Sequence, residues 1–145
     1  MSLSYELTER IHVGRIADVF RGVLDDGRPI IAKVLKDESA SPREIERFRA
    51  EYALMASLHV DGVVRSLGLV AHDSGLALLM RDIGGVSLRR LSMGRALSVP
   101  VFFDYAERVC RALGGLHGAG CVHNDISPSN IVVNIAKRRL EIIDL

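Results

Sequence analysis

Short runs of apolar and mixed positions bounded by turn signals, the pattern of strands, make up much of the first eighty residues. Tyr5-Glu6-Leu7 through Ile11-His12-Val13 and Asp18-Val19-Phe20-Arg21-Gly22-Val23 read as two strands joined near Gly14, and Asp25-Asp26-Gly27-Arg28 is a turn signal. Pro29-Ile30-Ile31-Ala32-Lys33-Val34-Leu35 reads as a third strand, an apolar run holding one lysine. The period then changes. Ser41 as N-cap, Pro42 at the first helical position and Glu44 as partner in a capping box open a helix, with Ile45, Phe48, Tyr52, Met55 and Ala56 on its apolar stripe. Ser66-Leu67-Gly68-Leu69-Val70 and Leu76-Ala77-Leu78-Leu79-Met80 complete five strands around the turn Asp73-Ser74-Gly75.

The second part of the chain follows a helical period. A long helix runs from a cap at Ser98 to the stop at Gly118 and Gly120, spaced to bury Phe102, Tyr105, Val109, Ala112, Leu113 and Leu116. Beyond it a polar loop is bracketed by apolar, strand-like runs, Cys121-Val122 and Ile131-Val132-Val133, and Leu140-Glu141-Ile142-Ile143 is a further run. The fold class is α+β: a small five-stranded antiparallel unit with one helix, then the beginning of a mainly helical unit. Arg89-Arg90 and Lys137-Arg138-Arg139 read as solvated faces, the second inside a turn.

Composition narrows the class of partner. With 145 residues, 48% hydrophobic and 26% charged, the chain has the make-up of an ordinary globular protein. Nineteen basic against eighteen acidic residues leave a formal charge of +1, which supplies no attraction to nucleic acid or an anionic membrane, and 5% aromatics argues against base stacking. The first six residues lack the basic and apolar regions of a signal peptide, and no segment approaches the roughly 20 apolar residues of a membrane span. The expectation is a cytoplasmic protein. Cys110 and Cys121 have no metal-ligand spacing and read as small buried apolar residues.

The chemistry-bearing residues gather in Cys121-Val122-His123-Asn124-Asp125-Ile126-Ser127-Pro128-Ser129-Asn130 and in Ile142-Ile143-Asp144-Leu145. Asp125 can orient or deprotonate a hydroxyl, and Asn130 and Asp144 offer the hard oxygen ligands that suit magnesium. His123 reads as a residue that positions the loop. Taken singly, each has a plain reading as well: Ser127-Pro128-Ser129-Asn130 fits an ordinary turn, Lys33 fits a solvent-facing edge strand, and Met80 fits a core. Glu51 flanks the helix stripe and is the carboxylate best placed to pair with Lys33, whereas Glu44 and Glu46 can sit in solvent near the helix start.

The series Gly14, Lys33, Glu51, Asp125, Asn130, Asp144 resembles the protein-kinase superfamily over essentially the whole chain. His-x-Asp-x-x-x-x-Asn is similar to its catalytic loop, Ile-Ile-Asp-Leu to the strand entering its metal-binding Asp-Phe-Gly triplet, and Ile31-Ala32-Lys33 to its Val-Ala-Ile-Lys strand. The resemblance implies an N-terminal lobe over residues 1–80, a hinge over 81–88 and the start of a C-terminal lobe over 89–145. It implies ATP and Mg²⁺ as cofactors, with Asp125, Lys33 and Glu51 as catalytic residues and Asn130 and Asp144 as metal ligands. Gly14, Ala17, Lys33, Met80, Asp82, Asn130 and Asp144 would contact the nucleotide and its metal. The reaction implied is transfer of the ATP γ-phosphate to Ser or Thr hydroxyls of a protein. The chain is most similar to kinase-like domains that open large bacterial signalling proteins, which continue into ATPase and sensor histidine kinase modules, so further signalling domains are expected in the parent chain.

Departures from the family pattern shape the expectations. His12, Gly14 and Ala17 stand at the three glycine positions of the phosphate loop, which predicts a stiffer loop and weaker nucleotide binding. Asn124 replaces an arginine that pairs with a phosphorylated activation segment, removing that route of control. Ser127 stands where a lysine near the transferred phosphate is usual, removing one transition-state cation. That loop drifts toward those of small-molecule phosphotransferases acting on aminoglycosides or choline, which is one alternative; a pseudokinase or interaction module is another. The family continues past the metal-binding aspartate, so residues 1–145 read as a truncated domain with uncovered apolar surface, expected to be inactive alone.

Overall fold

The strand runs and the capping box translate directly into the first half of the chain. The computed structural model describes residues 3–36, 40–73 and 75–145; Met1, Ser2 and the Ser74 of the expected turn lie outside them. Contacts divide the chain into two compact units, one comprising Met1–Ser57 with Arg65–Asp82 and the other Leu58–Val64 with Ile83–Leu145.

The first unit is a five-stranded sheet and one helix. Strands β1 (Tyr5–Val13), β2 (Ala17–Leu24), β3 (Pro29–Leu35), β4 (Ser66–His72) and β5 (Gly75–Arg81) pair antiparallel in the order β1-β2-β3-β5-β4. Successive side chains of β3 face opposite ways. Ile30 and Ala32 are fully buried with Leu24, Ala77 and Leu79, while Lys33 faces the other side, between Val19 and Leu78 in the register. The sheet curls until its outer strands meet, where Tyr5 Oη and His72 Nδ1 lie 2.7 Å apart. Burial, with the nearby Asp73 charge adding to it, raises the Tyr5 hydroxyl above its ordinary pKa.

Helix α1 (Pro42–Ser57) starts as the sequence predicts. Ser41 donates its N–H and hydroxyl to Glu44 Oε2 at 2.8 and 2.9 Å, and these bonds hold the Glu44 carboxyl below its usual range. Phe48 and Met55 are buried, but Ala56 is exposed, because one residue past Met55 turns about 100° around the helix and leaves the packed face.

The second unit is built on helix α3 (Val99–Gly118) and a small sheet of β6 (Val86–Ser87), β7 (Ile131–Asn134) and β8 (Arg139–Ile142), in the order β6-β7-β8. Ile142 and Gly62 add a further tie: the Ile142 N–H donates to Gly62 O, and the Val64 N–H donates to Ile142 O. Gly62 has φ 78°, and a Cβ there would sit 2.9 Å from Ala112 Cβ, so a larger residue would be both strained and crowded. Ala112 and Leu116 of α3 pack on Val63 and Ile142, and Tyr105 and Val109 on Ile131, Val133 and Leu140.

Three expectations for this unit are corrected. Phe102 is 55% exposed, because the sheet packs on α3 only from Tyr105 onward. Cys110 is exposed and Cys121 half-buried; Cys110 falls one step around the helix from the buried Val109 side. Cys121-Val122 forms no strand, and Val122 is exposed. A short helix, α2 (Leu88–Ser92), also forms where only a basic run was expected, with the Ser87 hydroxyl accepting the Arg90 N–H. Among the described residues no helix is long and apolar enough to cross a membrane.

Candidate active site

In the first unit the central strand and the helix bring two opposite charges together. Lys33 Nζ donates to Glu51 Oε1 at 2.7 Å, with both side chains largely covered. This is the pairing expected from Glu51's place beside the helix stripe. The loop between β1 and β2 is tied down in turn. Gly14 N–H donates to Asp18 Oδ1 at 3.2 Å, while Lys36 Nζ donates to the Gly14 carbonyl at 2.7 Å and contacts Asp18 Oδ1 at 2.9 Å. The Lys36 ammonium holds the Asp18 carboxyl below its usual range, with the Gly14 N–H and Arg10 contributing and desolvation opposing.

Glycine is needed at Gly14 because a Cβ would run into the Ala17 carbonyl oxygen, which brings Ala17 against the same turn. Met80 is half-buried on β5, opposite Ile31 and Ser66. Asp82 accepts from Arg21 Nε at 3.2 Å through its carboxylate and donates its N–H to Pro29 O. Lys36 and Asp18 were not singled out from the sequence. The available signal was Asp18 four residues after Gly14, a short polar side chain within reach of a turn N–H.

In the second unit the polar loop is fixed mainly by backbone groups. His123, 5% exposed, places Nε2 2.9 Å from the Ile143 carbonyl, and its Nδ1 accepts the Asp125 N–H at 3.3 Å. Those two bonds define one neutral tautomer, with the proton on Nε2. Ile143 also donates its N–H to Asn130 O, so one residue ties both ends of the loop to the position before Asp144. The loop's middle is held where the Arg89 N–H donates to Pro128 O.

This frame leaves Asp125 exposed but oriented. The Asn130 amide donates to Asp125 Oδ2 at 3.0 Å and to the Asp125 carbonyl at 2.9 Å. The nitrogen of this nearly buried side chain is so committed, and its other terminal atom, Oδ1, is a hard acceptor oxygen. Asn124 and Asp144 adopt left-handed backbone, φ 64° and 59°, a region in which Asn and Asp are the common non-glycine residues.

Among the described residues no group of three or more His, Cys, Asp or Glu side chains could hold a metal by itself. Magnesium needs no such cage; it takes one or two protein oxygens and completes its shell with phosphate and water. The Asn130 amide oxygen and the Asp144 carboxylate are oxygens of that kind.

Comparison with known proteins identifies the family. The family model described as the protein kinase domain matches residues 5–145. The chain is 34% identical to the serine/threonine-protein kinase PknA of Mycobacterium tuberculosis over 146 residues, covering 92% of this chain and 33% of that protein. It is 32% identical to the serine/threonine-protein kinase PkaB of Streptomyces coelicolor, covering 84% of this chain and 30% of that one. A probable serine/threonine-protein kinase of Clostridium acetobutylicum is 29% identical over 92% of this chain and 21% of its own length. The chain thus spans a third or less of these relatives.

Proposed function

The chain belongs to the protein kinase family, and on that premise we propose that it serves ATP-dependent transfer of the γ-phosphate to Ser or Thr hydroxyls of proteins in signal transduction. One observation carries the reading: an exposed Asp125 carboxylate, held by the Asn130 amide, on a loop whose two ends are tied to Ile143. In the second unit Asp125 orients the acceptor hydroxyl and takes its proton as the oxygen bonds to the γ-phosphorus and the bond to the ADP oxygen breaks. Asn130 Oδ1 and the Asp144 carboxylate would hold magnesium, which when bound neutralises charge on the phosphate oxygens. In the first unit Lys33, kept in place by Glu51, binds the α- and β-phosphates, the loop at Gly14 and Ala17 covers phosphate, and Met80 and the backbone near Asp82 meet the adenine. ATP as donor and two unbridged cysteines suit the cytoplasm.

The test is transfer of radiolabelled γ-phosphate by the whole gene product, wild type against Asp125→Asn, with protein and small hydroxylated acceptors offered in parallel. Loss of a positioned base should lower transfer to protein by about 100-fold or more while ATP affinity stays within about twofold. Wild-type rates in Asp125→Asn, or transfer to the small acceptors alone, would refute the proposal.

A further inference from the structure

A groove of about 360 Å³ lies in the second unit between the first turns of α3 and the β7–β8 turn. Val101, Tyr105 and Val133 form its apolar lining, and Ile135, 62% exposed, stands at its rim. Its shape is set in advance. Arg108 Nη1 donates to the Arg138 carbonyl at 2.8 Å, joining helix to turn, and the Asn134 side chain spans the turn's base, donating to Ile83 O and accepting the Lys137 N–H.

The charges around the groove are unbalanced. Its single carboxylate, Asp104, is taken by Arg108 at 3.1 Å. Arg138 and Arg139 also line it, Lys137 is on the same turn, and none of these three side chains has an ion pair or hydrogen bond among the described residues. An occupant is therefore rewarded for carboxylates at the rim and for an aliphatic side chain on the floor. A bare polyanion would satisfy the arginines and leave Val101 and Ile135 uncovered.

We infer that this groove docks an acidic peptide segment of a partner protein, with a leucine-like side chain on Val101, Tyr105 and Val133 and its carboxylates on Arg138 and Arg139. The preformed walls reduce the ordering cost of such docking. The inference concerns partner binding and does not depend on phosphate transfer.

The test uses the whole gene product and a labelled heptapeptide, Glu-Leu-Glu-Glu-Leu-Leu-Asp, followed by fluorescence anisotropy and amide chemical shifts. Saturable binding is expected, with shifts at Val101, Ile135 and Arg139 and no binding of the counterpart carrying Lys at the acidic positions. The double variant Arg138→Glu, Arg139→Glu should weaken binding by about tenfold or more, as should Val101→Glu, which keeps the arginines. Both sites are exposed, and an unchanged amide spectrum of each free variant confirms its fold. The inference is overturned if the acidic peptide does not saturate, if charge reversal leaves affinity unchanged, or if an oligonucleotide binds as tightly without shifting Val101 and Ile135.

Discussion

The two units hold their working groups by different means. In the first, charge holds charge: Lys33 is fixed by Glu51, and Lys36 ties Asp18 to the Gly14 loop. In the second, the polypeptide holds the loop: His123 and Asn130 both bond to the backbone of Ile143, and Arg89 N–H bonds to Pro128 O. Partly exposed ion pairs contribute little to stability and respond to salt and acid, whereas buried groups that lose a hydrogen-bond partner cost their full desolvation. The first arrangement suits groups that adjust to their surroundings, and the second suits a carboxylate that must stay in one place.

Removing one side chain from each unit separates the two modes. His123→Phe keeps the ring volume but leaves the Ile143 carbonyl and the Asp125 N–H without partners, each worth about 1–3 kcal/mol. Urea denaturation of the variant should show a loss of about 2–4 kcal/mol. Lys33→Met should cost no more than about 1 kcal/mol, since both members of its pair keep some exposure, yet it should abolish most nucleotide binding measured by calorimetry. Equal stability losses for the two substitutions would dissolve the contrast.

Acid probes the smallest effect. The folded-state pKa of Asp18 is depressed, so its tether to Lys36 and Gly14 is present in full above the ordinary carboxylate value of about 4 and is lost as pH falls through the lower folded value. Carboxyl titration by NMR should give Asp18 a midpoint below an ordinary aspartate, with the Gly14 amide shift following it. Lys36→Met should return that midpoint toward the ordinary value, because the Lys36 hydrogen bond is the largest cause of the depression.

Much of this was legible in the sequence where the signal is local. Ser41 and Glu44 announce the start of α1, the apolar run around Lys33 marks β3 to the residue, and the Asp125 and Asn130 spacing sets a loop that the structure closes with a side-chain hydrogen bond. Most of what escaped has no local side-chain signature. Ile143 acts through its N–H and C=O, so its identity carries no sign of the role. Lys36 meets Gly14 and Asp18 through the register of β2 and β3, a contact across 22 positions for Gly14. β6 and α2, of two and five residues, are too short to establish a period. Exposure of Phe102 and Cys110 depends on where the sheet meets α3, which helical spacing alone does not specify.

The most direct measurement replaces magnesium by Mn²⁺ in the presence of a non-hydrolysable ATP analogue and follows paramagnetic broadening in NMR spectra of the chain. The Asn130 side-chain amide and the Asp144 backbone amide should broaden at the lowest Mn²⁺ concentration, and Asp144→Asn should remove that broadening. Broadening centred on other residues, or unchanged by Asp144→Asn, would contradict the assignment of metal and phosphate chemistry to this loop.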